Sequence, residues 1–167
     1  MANPIFELYR LDRDLTREQL IAALAETPRL ARETIADRSA EALQRPPAAG
    51  GWSPLEALRH LRDAVQVYGM RFKWMILQDD PFLPDYAEDR WVAGSPDGPA
   101  DVDALLAEMA AYRAETLRLL RALPEAGWSR RGRHEVNGPV VLEAYVRHQL
   151  AHEEQHLAQL RALAPKP

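Results

Sequence analysis

Three histidines lie four residues apart in the stretch RHQLAHEEQHLAQL, at His148, His152 and His156. In a helix this spacing places successive side chains one turn apart on a shared face, so that two imidazoles can reach one metal ion. The segment HEEQH within the stretch also matches the H-E-x-x-H signature of zinc peptidases. Three hypotheses follow: a peptidase, another kind of metal protein, or a helix that merely carries histidines.

Composition and charge narrow the class of protein. A chain of 167 residues can build one well-buried core, and we expect a single domain over 1–167. Its net charge of −4, without a basic stripe, argues against nucleic-acid binding. Neither an apolar run of the ~20 residues that a membrane helix needs nor a signal peptide is present, so we expect a cytoplasmic protein. Because cysteine is absent, any metal must be held by nitrogen and oxygen.

Four blocks rich in Ala, Leu, Glu and Arg predict four helices, and no segment predicts a strand convincingly. Capping patterns mark two starts: Thr16 with Gln19, and Ser53 with Pro54 and Glu56. Pro28 is expected to kink or restart the first block. The predicted helices run from Thr16 to about Leu43, Ser53 to about Gln78, Asp101 to Leu123, and Pro139 to about Leu163. The fold class expected is therefore an all-α four-helix bundle.

The connections predict how these helices are arranged. Short connections between the first and second helices, and between the third and fourth, favour antiparallel neighbours. The segment 81–100 contains four prolines and two glycines and is predicted to be irregular, without helix or strand. Since ~20 residues can span a ~30 Å helix, the second and third helices are predicted to run parallel, in an up-down-down-up order.

The fourth predicted helix has a polar centre where a bundle core would be apolar. On a heptad its core-facing positions are Leu142, Tyr145, Gln149, His152, His156, Gln159 and Leu163. Burying consecutive polar side chains is costly unless each has a partner, and such departures from a good core tend to mark functional sites. His148 is rotated off this line by ~40° and is expected to lie outside a shared metal site.

A further histidine, His60, lies at the edge of the apolar stripe of the second predicted helix. Taken alone it is typical of a hydrogen-bonded core residue, but with His152 and His156 it could complete a three-histidine site with one open position. His134 could join the site if GRHEVNG folds over the open end of the bundle, but it is predicted to be an exposed loop histidine. Arg71 or Arg147 could pair with carboxylates of a cofactor, but both are predicted to lie on solvated faces.

The peptidase hypothesis is weak. Such enzymes need a third metal ligand downstream, whereas LAQLRALAPKP after His156 contains no histidine or carboxylate. They also place the helix beside a sheet, and no strand is predicted. Glu153, the glutamate of HEEQH, is expected to fall beside the metal-facing line rather than on it.

Two segments resemble the DinB-like (YfiT-like) superfamily of metal-binding four-helix bundles: GWSPLEALRHLRDA and GPVVLEAYVRHQLAHEEQHLAQL. That family has a histidine early in its second helix after a W-[ST] segment, and H-x-x-x-H on its last helix, followed by x-x-Q-[IL]. The matching positions are Trp52, Ser53, Glu56, His60, His152, His156, Gln159 and Leu160.

The resemblance implies a site for a divalent metal, zinc or nickel, held by His60, His152 and His156, and a homodimer with a small-molecule substrate. It also implies a transferase that uses a low-molecular-weight thiol such as bacillithiol, mycothiol or glutathione. A metal-hydroxide hydrolase and a non-catalytic, stress-associated metal-binding protein are the alternatives. In an enzyme, Gln149, Tyr145 and Gln159 are candidates to orient the substrate, and Glu153 is a candidate supporting residue or base.

Overall fold

A computed structural model describes residue 11 and residues 13–163, and it consists mainly of helices. Four long helices form a bundle and two shorter ones lie in the connections. Their bounds are α1 Arg17–Ile35, α2 Ala40–Gln44, α3 Pro54–Leu77, α4 Glu88–Gly94, α5 Val102–Arg121 and α6 Leu142–Ala162. Pro165, expected to follow the last helix, lies outside the described residues. None of the helices described is long and apolar enough to cross a membrane.

Local sequence signals set the starts of α1 and α3. Thr16 accepts a hydrogen bond from the backbone N–H of Gln19, whose side chain accepts one from Thr16 in return. Ser53 and Glu56 form the same reciprocal pair at α3, with proline at the first helical position. Pro28 lies inside α1, which continues through it, so of the two predicted alternatives, a kink or a restart, the restart is wrong.

Contacts between the long helices fix their directions. Arg17 pairs with Glu143, and Arg38 donates to the carbonyl of Leu160, so α1 and α6 run parallel. Arg62 pairs with Glu108 and Lys73 with Glu115, so α3 and α5 also run parallel. Arg32 near the end of α1 pairs with Asp103 at the start of α5, which makes these two antiparallel. The predicted up-down-down-up order is confirmed.

The principal packing pairs differ from those expected of sequence neighbours. Helix α3 packs against α5 and α6, and α1 packs against the same two helices. Consecutive long helices, α1 with α3 and α5 with α6, therefore lie across the diagonals of the bundle. The predicted adjacency is wrong because the connections are not tight turns: one contains α2, and the other contains a β-hairpin.

A small sheet corrects the prediction that the chain has no strand. The strands are β1 Phe82–Leu83, β2 Arg131–His134 and β3 Gly138–Val141. Strand β2 pairs in parallel with β1 and antiparallel with β3. Strands of two to four residues are too short to display an alternation of apolar and polar residues, which explains why the sequence did not predict them.

The same sheet changes the start of the last helix. Pro139 lies in β3 opposite Arg133, and the helix begins three residues later at Leu142. Proline lacks a backbone N–H and is tolerated in an edge strand such as β3. The crossover 81–100, predicted to be irregular, contains β1 and α4.

Two hydrophobic clusters form the core, and α6 passes through both. One contains Leu24, Phe72, Tyr145 and Leu150, and the other contains Leu58, Leu61, Met109 and Leu157. The polar segment of α6 lies where the clusters meet.

Candidate metal centre

His60 on α3 meets His152 and His156 on α6 inside the bundle. The Nε2 atom of His152 lies 3.2 Å from that of His60 and 3.2 Å from that of His156. All three side chains are buried, with exposed fractions of 1%, 5% and 8%. The antiparallel packing of α3 and α6 thus joins residues that are 92 positions apart.

The three nitrogens have the spacing of ligands around one ion. Nitrogen ligands at about 2.0–2.1 Å in a tetrahedral arrangement are about 3.3 Å apart. Hydrogen bonds account less well for the same cluster. A single imidazole nitrogen carries one proton or one lone pair, so His152 Nε2 would have to share that one site between two neighbours. The donor set fits a divalent cation.

Neighbouring side chains favour the tautomer that metal binding requires. Gln159 Oε1 lies 2.8 Å from His156 Nδ1, and an amide oxygen there accepts the Nδ1–H bond. In His156 the lone pair is then on Nε2, facing the centre of the triad. Glu88 Oε2 lies 3.8 Å from His60 Nδ1, beyond hydrogen-bond distance, and its negative charge favours the same tautomer in His60.

Burial keeps the three imidazoles neutral. It lowers the pKa of His60 to about 3, with a further contribution from His156. Burial also lowers the pKa of His152 well below its ordinary value, helped by the neighbouring histidines His156, His60 and His148. The pKa of His156 is lowered by burial against an opposing effect of Gln159. Since metal ions bind neutral imidazole, the triad can accept a cation at neutral pH.

A cavity of about 480 Å³ reaches the triad at His152. Its volume is in the range of small-molecule sites. The mouth is formed by exposed residues of the crossover, and the inner wall by buried residues of α3, α6 and the hairpin. The lining comprises Tyr68, Arg71, Asp85, Tyr86, Ala87, Glu88, Asp89, Arg90, His134, Asn137, His148 and His152.

Two residues of this wall were predicted to be solvated and are buried. His134 is 5% exposed, because β2 folds it over the end of the cavity beside Tyr145. Arg71 is 3% exposed and donates to the hydroxyl of Tyr145 at 2.9 Å and to the carbonyl of Pro84. His148 lies outside the triad, as predicted, and lines the cavity one turn before His152.

The glutamate of HEEQH faces away from the cavity. Glu153 is fully buried and accepts hydrogen bonds from Thr27 of α1 at 2.6 Å, from Arg113 of α5, and from Gln149 at 2.6 Å. It therefore ties three helices together. Because Glu153 does not line the cavity, its position gives no support to the predicted role of a base, and its other predicted role, as a supporting residue, stays a prediction.

The other predicted orienting residues are dispersed around the centre. Gln159 contacts His156 directly, whereas Gln149 belongs to the Glu153 network and does not line the cavity. The hydroxyl of Tyr145 accepts a hydrogen bond from Arg71, and the Tyr145 ring is stacked on that of His148 at 6.1 Å between centroids.

Sequence reasoning missed the contribution of the crossover. Asp85, Tyr86 and Glu88 line the cavity, yet they lie in a segment that was predicted to be irregular. Trp52, just before α3, packs on His60 with ring centroids 4.6 Å apart. The turn residues around 81–100 gave no signal that this segment folds over the bundle.

Comparison with known proteins agrees with this fold. The sequence profile of the DinB superfamily matches residues 13–160. The chain belongs to the DinB superfamily. Among structures similar to this DinB-superfamily chain is YfiT from Bacillus subtilis, with a TM-score of 0.83 and 24% identity over 93% of this chain and 91% of that one. YfiT is described as "a probable metal-dependent hydrolase with an unusual four-helix bundle topology".

Curated relatives of this DinB-superfamily chain have similar names. A protein of Oceanobacillus iheyensis is 25% identical over 98% of this chain and 95% of its own length. One of Geobacillus kaustophilus is 26% identical over 87% of this chain and 83% of its own. Each of the two is named "Putative metal-dependent hydrolase".

Proposed function

We propose that this protein is a metal-dependent hydrolase in which His60, His152 and His156 hold one divalent cation. The observation that carries the proposal is the convergence of three buried, neutral Nε2 atoms beside a small-molecule cavity. Imidazole ligands suit zinc and nickel, the two cations expected from the sequence. The names of the Oceanobacillus and Geobacillus relatives support the same assignment.

A divalent cation in such a site supplies a Lewis acid that polarises a carbonyl and lowers the pKa of a water molecule towards neutrality. The residues of the chain supply the rest. Neutral imidazoles leave the positive charge of the cation uncompensated. His134 holds a proton at Nε2 on the cavity wall and can donate it in a hydrogen bond to a substrate oxygen. The rings of Tyr68 and Tyr86 limit the water beside a bound substrate.

The thiol-dependent transferase expected from the sequence is the second candidate. The chain has no cysteine, so a sulfur nucleophile would have to come from a second substrate. Arg71 lines the cavity, where it can pair with a carboxylate of glutathione or bacillithiol.

Metal content tests the triad. Elemental mass spectrometry of untagged protein is expected to find near one divalent ion per chain, and none in a His60→Ala variant. His148→Ala is the matched control, since it removes a buried histidine outside the triad and should keep the ion. Wild-type protein without metal, even after addition of zinc or nickel, would overturn the proposal. Metal retained in His60→Ala would remove His60 from the site.

Turnover with and without thiol separates the two enzymes. A hydrolase should cleave 4-nitrophenyl esters or anilides without thiol, and His60→Ala should abolish this activity. Turnover only in the presence of glutathione, mycothiol or bacillithiol, with an S-conjugated product, would replace the hydrolase by the transferase. Metal-loaded protein inactive in both assays would favour a non-catalytic metal-binding protein.

The homodimer and the small-molecule substrate implied by the family resemblance remain predictions. Light scattering on the metal-loaded protein measures the first. The substrate prediction is tested by the ligands that bind in the cavity.

A further inference from the structure

Arg71 is a buried cation whose charge is poorly matched by its surroundings. Its NH1 donates to the Tyr145 hydroxyl and its NH2 to the Pro84 carbonyl, and both acceptors are neutral. In the described part of the chain its carboxylate contact is Asp85 Oδ1, 3.5 Å from NH2. Asp85 is 45% exposed, so that much of its charge is screened by water. A buried charge without a close partner is costly, and an arrangement of this kind points to a ligand.

His134 presents a second donor at the same place. Its Nδ1 accepts from the backbone N–H groups of Val136 and Asn137, each at 3.3 Å. The proton of the neutral ring is therefore on Nε2, which lies 3.9 Å from the same Asp85 Oδ1. Burial, together with the charge of Arg71, lowers the pKa of His134, so the ring stays neutral and acts as a donor.

The carboxylate of Asp85 lies beside both donors, but too far from each for a short hydrogen bond. One carboxylate oxygen lies 3.5 Å from Arg71 and 3.9 Å from His134, both longer than a charge-assisted hydrogen bond of about 2.7–2.9 Å. The guanidinium is positioned between two rings, with its carbon 5.7 Å from the centroid of Tyr68 and 5.9 Å from that of Tyr86. A ligand entering the cavity can thus reach a fixed cation and a fixed N–H donor.

We propose that Arg71 and the Nε2–H of His134 form a carboxylate-binding subsite, and that the substrate is a small carboxylic acid whose anion displaces Asp85. The same cavity reaches the metal triad at His152, so the acid group would be held at one place while another group of the molecule meets the metal. The identification of this ligand as the substrate rests on the hydrolytic function proposed above. The subsite itself does not.

Binding to metal-free protein tests the subsite separately from the metal. The probes are N-benzoylglycine and its neutral amide, N-benzoylglycinamide, titrated by ligand-observed NMR after removal of metal with a chelator. The acid is expected to bind at least about tenfold more tightly than the amide, since hydrogen bonds to a charged group contribute about 1.5–3 kcal/mol and about 1.4 kcal/mol corresponds to tenfold. Equal binding of the two probes would overturn the proposal.

Three variants test which residues produce the preference for the acid over the amide. Arg71→Met should abolish the preference for the acid, whereas Arg90→Met, which removes an exposed arginine at the mouth of the same cavity, should keep it. Asp85→Asn removes the competing carboxylate from an exposed position and should tighten binding of the acid by roughly three- to tenfold, because a nearby like charge is lost. Weaker binding in Asp85→Asn, or a preference that survives Arg71→Met, would contradict the subsite.

The Asp85→Asn test remains decisive if Arg71→Met fails to fold, because Asp85 is exposed. Failure of these titrations would overturn the subsite and leave the metal site untouched. Failure of the metal measurements would overturn the hydrolase and leave the carboxylate subsite standing.

Discussion

Two buried arginines, Arg113 and Arg71, have different partners in the same bundle. The side chain of Arg113 is 2% exposed and pairs directly with Glu153, which is fully buried and also bound by Thr27 and Gln149. The side chain of Arg71 is 3% exposed, and its carboxylate contact is a half-exposed aspartate at 3.5 Å. The first arginine belongs to the Glu153 network, which supplies a buried counter-charge and holds helices together. The second lines a cavity.

The segment HEEQH of α6 contains both a buried group paired with a counter-charge and buried groups that face a candidate ligand site. Glu153 pairs with Arg113, whereas the Nε2 atoms of His152 and His156 converge with that of His60. Adjacent residues on a helix point about 100° apart, so neighbours in one motif face different environments. Breaking a buried charge pair destabilises the fold. Buried groups whose lone pairs converge can bind a ligand.

The largest expected effect concerns the buried ion pair between Glu153 and Arg113. Glu153→Gln should lower the free energy of unfolding by about 3–5 kcal/mol, because it leaves the Arg113 charge buried without a counter-charge. Denaturant titration of metal-free protein measures this change.

The matched control is the next residue of the motif. Glu154→Gln removes a surface pair with Arg13 and should change stability by less than about 1 kcal/mol. Similar losses of unfolding free energy in the two variants would show that the buried ion pair contributes no more to stability than the surface pair.

A smaller effect is expected from acid on the triad of metal-free protein. The pKa of His60 is about 3 in the folded chain and near 6.5 when unfolded. Between these values the unfolded chain binds more protons, so stability falls as the pH falls below 6.5. At pH 5 the loss due to His60 is about 2 kcal/mol.

Denaturant titrations at pH 7 and pH 5, on wild type and on His60→Gln, measure this loss. The stability of the variant should fall less between pH 7 and pH 5, by the amount due to His60, since glutamine does not titrate. An identical pH dependence in both proteins would mean that His60 does not stay neutral in the fold.

The smallest expected effect concerns the residue that orients His156. Gln159→Leu should weaken metal binding roughly tenfold, because the Nδ1–H of His156 loses its acceptor. Competition with a metal chelator measures the affinity. Gln155→Leu, at an exposed position of the same helix, should leave it unchanged. Equal affinities in the two variants would contradict an orienting role for Gln159.

Local signals predicted the long helices well. The capping pairs at Thr16 and Ser53 gave the starts of α1 and α3 because each pair involves residues three positions apart. The start of α6 was predicted three residues early, at Pro139, because proline suits both a first helical turn and an edge strand. Pairing of β3 with β2, a non-local contact, decides between them.

The candidate site was predicted only in part, because some of its contacts are local in sequence and others are not. His152 and His156 are one turn apart, so their proximity follows from helical geometry alone. His60 was a candidate third ligand from its residue type and position, and from a family resemblance; the packing of α3 against α6 brings it to the pair. Arg71 and His134 were predicted to be solvated, with folding of GRHEVNG over the bundle as the alternative for His134. Their burial depends on how the crossover and the hairpin pack against the bundle, which local sequence does not decide.

The sequence by itself determined the helices, their caps, the absence of thiol ligands and the histidine pair on α6. Only the tertiary structure decided which face of HEEQH meets the core, how the crossover closes the cavity, and which arginine has a buried carboxylate as its partner. Helix formation depends on residues three or four positions apart, and these are visible in one stretch of chain. The charge balance of a buried group depends on side chains from several elements, brought together only when the bundle packs.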